Sequence, residues 1–308
     1  MKKLEGIVVP LLTPLRGRDE LDVAALDRLI EHVIAGGVSG VFVLGTTGEA
    51  PALSYRLRRE LIQRACRQVN RRVPVLVGLT DTSVAEAVSL GRYSEQQGAD
   101  AVVSSTPYYF PVEQEELASY VQALTNDVPL PLILYNIPQM TKISFAIDTV
   151  RRLMDLDRVI GIKDSSGDVD YLNELLSMPK KSAGWVVFAG HEHLLVNCVQ
   201  RGGTGGVTGG ANVWPELYVK LDRAARAGDQ TVVAKLNADL ARFAQIYVSG
   251  QGINGIVKSI KCAAALRGLC QESMAQPLAS LSKAEREKVS SVLKELALLS
   301  NKEVHAGR

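Results

Sequence analysis

Long apolar runs, paired cysteines and an excess of either charge are all missing from these 308 residues. No stretch approaches the roughly 18 consecutive apolar residues that a membrane-spanning helix needs, so no span is expected. The opening residues, Met1-Lys2-Lys3-Leu4-Glu5, lead straight into a strand-like pattern. They lack the apolar core and small-residue cleavage site of a secretory leader. Only four cysteines occur, Cys66, Cys198, Cys262 and Cys270, and none has CxxC spacing. In mostly apolar helical context they read as reduced core thiols of a soluble, cytoplasmic protein.

Basic and acidic residues nearly cancel, 35 against 33, for a net charge of +2. With no long basic run, neither nucleic acid nor an anionic membrane is an expected partner. Arg56, Arg58, Arg59, Arg64, Arg67, Arg71 and Arg72 are spread over one helix and its end, and read as a solvated face or a subunit contact. No GxGxxG follows the first apolar run, which argues against a dinucleotide site. Cysteines, histidines and acids do not cluster at metal-ligand spacing. His191 and His193 alternate sides on an extended chain, so no metal site is expected there.

What is present is alternation. Short apolar runs at 6–12, 40–44, 73–79, 100–104, 130–137, 159–163, 185–189 and around Val207 read as strands. Helical periodicity fills the intervals, at 22–35, about 54–69 with Ser54 as its cap, 83–97, 113–124, 145–154, 169–176 and 193–201. Strands alternating with helices imply parallel βαβ units. Eight such units close into an α/β barrel of the TIM (β/α)8 type, with the active site at the carboxyl ends of the strands. A doubly wound open sheet is the other arrangement. Helices alone follow, at 215–225, 230–248, 253–266 and 283–298, punctuated by Gly250, Gly252, Gly255 and Pro277. The expected division is a barrel over 1–225 and a helical extension over 226–308, frayed from Asn301.

The chain's chemistry centres on Val159-Ile160-Gly161-Ile162-Lys163-Asp164-Ser165-Ser166-Gly167-Asp168. The apolar run reads as a buried strand that presents Lys163 at its carboxyl end. An amine lifted out of water loses its preference for the charged form and becomes a nucleophile. The alternative is a surface lysine paired with Asp164 or Asp168. On a barrel, other strand-end residues converge on Lys163: Thr46 and Thr47, Tyr108 and Tyr109, Tyr135 and Asn136, Ser165, and His191-Glu192-His193. A lysine, a tyrosine and a carboxylate-binding turn suit Schiff-base chemistry on a 2-oxo acid.

Gly45-Thr46-Thr47-Gly48-Glu49, Tyr135-Asn136-Ile137-Pro138 and Gly161-Ile162-Lys163-Asp164 resemble, in order and separation, motifs of the dihydrodipicolinate synthase/N-acetylneuraminate lyase superfamily. Pro107-Tyr108-Tyr109 and Gly205-Gly206-Val207 with Ala211-Asn212 match as well, and the resemblance spans essentially residues 5–300. It implies a class I, metal-independent pyruvate aldolase or lyase that needs no cofactor beyond the imine on Lys163. A homotetramer, a dimer of dimers, is also implied. Lys163 would be the Schiff-base lysine and Tyr135 the acid/base. Thr46, Thr47 and Gly48 would hold the carboxylate, and one of the threonines, taken as Thr47, would join the catalytic relay. Tyr109 would be supplied to a neighbouring subunit, or else be a plain interface residue. Val207 belongs to the substrate wall.

Departures from the family bear on the substrate. Met140 stands where the synthase branch places a substrate-gripping arginine, and Lys142 replaces a nearby glycine. Ser165 and Glu192 fall at substrate-contacting positions of the sialic acid lyase branch, but Gly209 replaces a serine and His193 an acid. Glu192 and the two histidines would suit a hydroxylated chain, or form a solvated loop and helix cap. The expected function is therefore an aldolase acting on a 2-keto-3-deoxy sugar acid or related 4-hydroxy-2-oxo acid. N-acetylneuraminate lyase and dihydrodipicolinate synthase are the alternatives. A hydro-lyase and a non-catalytic 2-oxo acid sensor are more distant ones.

Overall fold

In the computed structural model, which describes residues 4–179, 184–248 and 251–299, strands form where apolar runs are bounded by turn residues. They are β1 (Gly6–Pro10), β2 (Gly40–Val43), β3 (Val75–Gly78), β4 (Ala101–Ser105), β5 (Leu132–Asn136), β6 (Val159–Asp164), β7 (Val186–Ala189) and β8 (Gly205–Val207). Each pairs in parallel with the next, and β8 pairs with β1, so the sheet closes into a barrel. Closure leaves no sheet edge and rules out the open doubly wound sheet. The strands are almost wholly buried because helices cover one face and the barrel interior the other.

The covering helices are α1 (Val23–Ala35), α2 (Tyr55–Val69), α3 (Val84–Gln96), α4 (Gln114–Asp127), α5 (Pro138–Thr141), α6 (Ile147–Leu153), α7 (Val169–Ser177), α8 (Leu195–Gln200) and α9 (Pro215–Ala227). Ser54 caps α2 as expected, accepting from the Leu57 amide at 3.2 Å. A cap of this kind stabilises by about 1 kcal/mol. Sequence and structure part at single turns. The first strand ends at Pro10, a short hairpin pairs Leu15–Gly17 with Glu20–Leu21, and the expected 193–201 helix opens with a 3₁₀ turn at Glu192–Leu194. Such pieces are too short for a periodic signal.

Arg58 corrects the expectation of a solvated arginine face. It is 6% exposed, and its guanidinium donates to Asp81 at 2.8 Å and to the Leu53 carbonyl at 3.1 Å. Arg56 remains on the surface, pairing with Asp19 and Glu60.

Beyond α9, which packs against β1, the chain forms α10 (Gln230–Phe243), α11 (Gly252–Leu266) and α12 (Lys283–Glu295). The helix expected over 230–248 stops at Phe243 and tightens into a 3₁₀ turn, Ala244–Ile246. Gly250 and the tail from Asn301 lie outside the described residues. Among those described, no helix is long and apolar enough to cross a membrane.

One buried contact ties this C-terminal part to the barrel. Lys261 on α11, 1% exposed, donates its Nζ to Glu49 at the end of the β2 turn and, at 2.8 Å, to the Ser273 carbonyl. The second Glu49 oxygen accepts from the Ala275 amide at 2.7 Å. Removing one partner of such a pair leaves the other charge buried without compensation, at a cost of about 3–5 kcal/mol. Lys261→Met is expected to lower unfolding free energy by about that amount in urea titration, and Lys261→Met with Glu49→Gln by less. A double variant as unstable as the single one would show that the pair is not what holds the extension down.

Candidate active site

Alternation along a strand sends every second side chain into the barrel. Tyr135 on β5 and Lys163 on β6 are register partners, as are Lys163 and Phe188 on β7. Tyr135, Phe188, Phe42 and Val207 belong to the inner apolar cluster, so Lys163 shares the interior with them. Its Nζ lies 3.7 Å from the centroid of the Tyr135 ring and 5.3 Å from that of Phe42. Lysine and tyrosine are each 5% exposed.

The surface-pair alternative for Lys163 fails on geometry. Asp164, one residue on, points the other way. Its Oδ1 accepts from Asn136 Nδ2 at 2.8 Å and the Ser166 amide at 3.1 Å, and its Oδ2 accepts from the Ser166 hydroxyl at 2.9 Å. Burial pushes the Asp164 carboxyl above the usual carboxylate range, and these donors pull it part of the way back. Asp168 caps α7, accepting from the amides of Asp170 and Tyr171 at 2.9 and 3.0 Å.

The turn after β2 brings Thr46 and Thr47 to the cavity that Lys163 lines. The Thr46 hydroxyl stands 3.3 Å from the Tyr135 hydroxyl, a loose contact of the kind that tightens when a substrate enters. Thr13 Oγ1 donates to the Gly48 carbonyl at 2.7 Å, holding the turn from behind. A Cβ on Gly48 would come within 2.9 Å of the Leu11 carbonyl, so this close approach requires glycine. Asn212 binds the loops after β1 and β8 together. Its Nδ2 donates to the carbonyls of Pro10 and Gly209, and its Oδ1 accepts from the Leu12 amide.

These groups open into one cavity of about 480 Å³, with Lys163 and Tyr135 at its floor and Thr46, Thr47, Ser165 and Val207 on its walls. A buried amine beside a phenol and two hydroxyls can add to a carbonyl, move the protons released and hold a carboxylate.

A family model described as the dihydrodipicolinate synthetase family matches residues 3–296. This chain belongs to that family. Family members most similar in sequence include a probable 2-dehydro-3-deoxy-D-pentonate aldolase of Escherichia coli, 36% identical over 85% of this chain and 88% of that one. A 4-hydroxy-tetrahydrodipicolinate synthase of Thermomicrobium roseum is 35% identical over 94% of each. Among solved structures, a dihydrodipicolinate synthase of Bacteroides thetaiotaomicron superposes with a TM-score of 0.91 at 44% identity, covering 95% of this chain and 98% of that one. YagE, a prophage protein of E. coli K12 solved in complex with pyruvate, superposes with a TM-score of 0.89 at 31% identity, over 96% and 99%. As a dihydrodipicolinate synthetase family member, the protein is a lyase of the class I aldolase type.

Within this family site, several assignments shift. The threonine whose hydroxyl stands at Tyr135 is Thr46, not the Thr47 expected there, and both threonines line the cavity. Gly48 shapes the turn from behind, its carbonyl taken by Thr13. Tyr109 is 71% exposed and stacks edge-on with the equally exposed Phe110. Tyr108, its neighbour, borders a second cavity of about 240 Å³ behind Tyr135, and so does Met140. Lys142 adopts φ 65°, which explains why glycine is the residue to expect there.

Glu192 lines the cavity, yet its carboxylate is already engaged. Oε1 accepts from the Gly210 amide at 2.7 Å, and Oε2 accepts from the hydroxyls of Tyr218 and Tyr247 at 2.7 and 2.8 Å. Burial pushes its carboxyl upward against these donors. Neither Tyr218, Tyr247 nor Lys261 figures in the reading from sequence. A lysine in the apolar run Ile260-Lys261-Cys262-Ala263 was the available signal, since a lysine on a buried face needs a partner.

His191 sits against the Ser165 carbonyl at 3.3 Å, and its ring meets that of His193 edge-on. Burial, followed by the neighbouring His193, holds its pKa below the ordinary 6.5. A depressed pKa in the folded state contributes stability that is present above 6.5 and is lost as pH falls through the folded value. His191→Asn is therefore expected to lose less stability than the parent between about pH 8 and about pH 5. Urea midpoints across that range check this; parallel pH profiles for both proteins would remove His191 as a source of acid sensitivity.

Proposed function

We propose that this protein is a Schiff-base aldolase that joins pyruvate to an aldehyde, or cleaves the resulting 4-hydroxy-2-oxo acid. The observation that carries the reading is the buried Lys163 amine 3.7 Å from the Tyr135 ring, with the Thr46 hydroxyl at the phenol. Nζ adds to C2 of the 2-oxo acid and water leaves, giving a protonated imine. The imine draws electrons from C3, a C3 proton departs, and an enamine forms. C3 then attacks the aldehyde carbon, whose oxygen becomes the C4 hydroxyl, and water hydrolyses the imine to release product and amine. Tyr135, coupled to Thr46, carries the protons. Thr46 and Thr47 hold the carboxylate through hydroxyl and amide donors.

The name of the E. coli pentonate aldolase supports a 2-keto-3-deoxy acid type of substrate, and YagE with pyruvate supports the oxo-acid half. The relatives named as synthases favour dihydrodipicolinate synthesis instead. Met140 weighs against it, because a thioether cannot reproduce the paired donors of an arginine. We further infer a homotetramer in which Tyr109 reaches a neighbouring subunit. Two exposed aromatic rings side by side support that, since they call for a covering surface. A cytoplasmic setting fits four free cysteines.

Borohydride added with pyruvate is expected to leave a stable adduct on Lys163, read by peptide mass, and none in Lys163→Ala. Absence of the adduct from the parent protein would end this reading. Tyr135→Phe is expected to lower kcat by roughly 10²–10⁴-fold, with pyruvate binding less affected.

A further inference from the structure

The cavity is larger than its chemistry requires. At about 480 Å³ it lies in the range of sites for drug-sized ligands, roughly 300–1,000 Å³, and a three-carbon oxo acid fills only its floor. What encloses the remainder is the inner side of α10, the turn that follows it and α11: Leu240, Ala244, Ile253, Ile256, Val257 and Ile260.

Polar groups on this outer half are few and mostly taken. Glu192 is saturated by Gly210, Tyr218 and Tyr247, and the Tyr247 hydroxyl is itself the donor to Glu192. His191 faces the Ser165 carbonyl. Asn237 and His193 sit at the exposed mouth. Among the described residues, Lys163 is the only lysine or arginine lining the cavity. A Cβ on Gly209 would lie 2.8 Å from Ile260 Cδ1, so the isoleucine occupies space that a larger residue at 209 would claim.

We propose that this outer half is an apolar subsite for the tail of the aldehyde partner. The preferred aldehyde then bears an alkyl or aryl group, and the product is a 4-hydroxy-2-oxo acid with an apolar substituent at C4. The proposal rests on the Schiff-base reading above and departs from the hydroxylated substrate that the pentonate aldolase's name supports. A polyhydroxylated tail laid against Leu240, Val257 and Ile260 would give up water without gaining partners. A second carboxylate would meet no lysine or arginine besides Lys163 among the described residues. An alkyl or aryl tail loses nothing polar and buries apolar area on both sides. The bond formed is unchanged: enamine C3 to the aldehyde carbon, whose oxygen takes up a proton.

The test is kcat/KM with pyruvate for isovaleraldehyde and benzaldehyde against glycolaldehyde and glyceraldehyde, on the intact protein. The apolar aldehydes are expected to be favoured by about tenfold or more, the discrimination that a methylene or two provides. Ile256 is 36% exposed, so Ile256→Asn should fold, and it is expected to shrink that ratio about tenfold. Borohydride trapping with pyruvate alone separates the two ideas. If the adduct forms and hydroxylated aldehydes are preferred, or Ile256→Asn leaves the ratio unchanged, the apolar subsite is overturned and the aldolase reading stands. If no adduct forms, the aldolase reading fails and the subsite with it.

Discussion

The register between β5 and β6 is the constraint on which the site depends. Because Tyr135 pairs with Lys163, and both have inward parity, a lysine and a phenol far apart in sequence meet at the same level of the barrel. A slip of one residue would pair Tyr135 with Asp164 or Ile162 and send the amine to the helix layer. Closure of all eight strands leaves no freedom for such a slip, since each register is held by the next. The next inward residue along, Phe188 on β7, packs on the other side and keeps the lysine stem in an apolar sleeve.

Two carboxylates frame this centre, buried Glu49 and half-buried Glu192 on the cavity wall, and protein donors hold both. Glu49, at the end of the threonine turn, is held by Lys261 and the Ala275 amide, which ties the turn to α11. Glu192, after β7, is held by Tyr218 on α9 and by Tyr247, which follows α10. The helices beyond the barrel are thereby clamped over its open end at two points. Charge is used to position the roof, while the roof's inner surface is mostly apolar. A buried pair of this kind adds little net stability, so its effect is on the placement of the elements it joins.

Much of this is legible in the sequence. Alternating strand and helix patterns carry the barrel, and glycine and threonine in the 45–49 turn, the tyrosine at 135 and the lysine at 163 carry the family chemistry. Legibility stopped at groups whose role is set by a partner remote in sequence. Arg58 looked like one of a row of surface arginines, yet it is buried on Asp81. Glu192 looked like a hand for a hydroxylated substrate, yet its oxygens are spent on two tyrosines and an amide. Thr46 and Thr47 are adjacent and chemically identical, so the choice between them waited on the 3.3 Å contact with Tyr135.

The sequence by itself determined the barrel and the kinds of group at the strand ends. Those depend on periodicity and on local turn chemistry, which are written within a few residues. Tertiary structure decided that Lys163 turns from Asp164 to the Tyr135 ring, that Glu192 and Glu49 serve as clamps, and that α10 and α11 roof the site with leucine, isoleucine and valine. Such outcomes turn on which buried polar groups find each other once water is excluded. That competition is settled among residues up to some two hundred positions apart, as between Glu49 and Lys261, and local pattern holds no record of it.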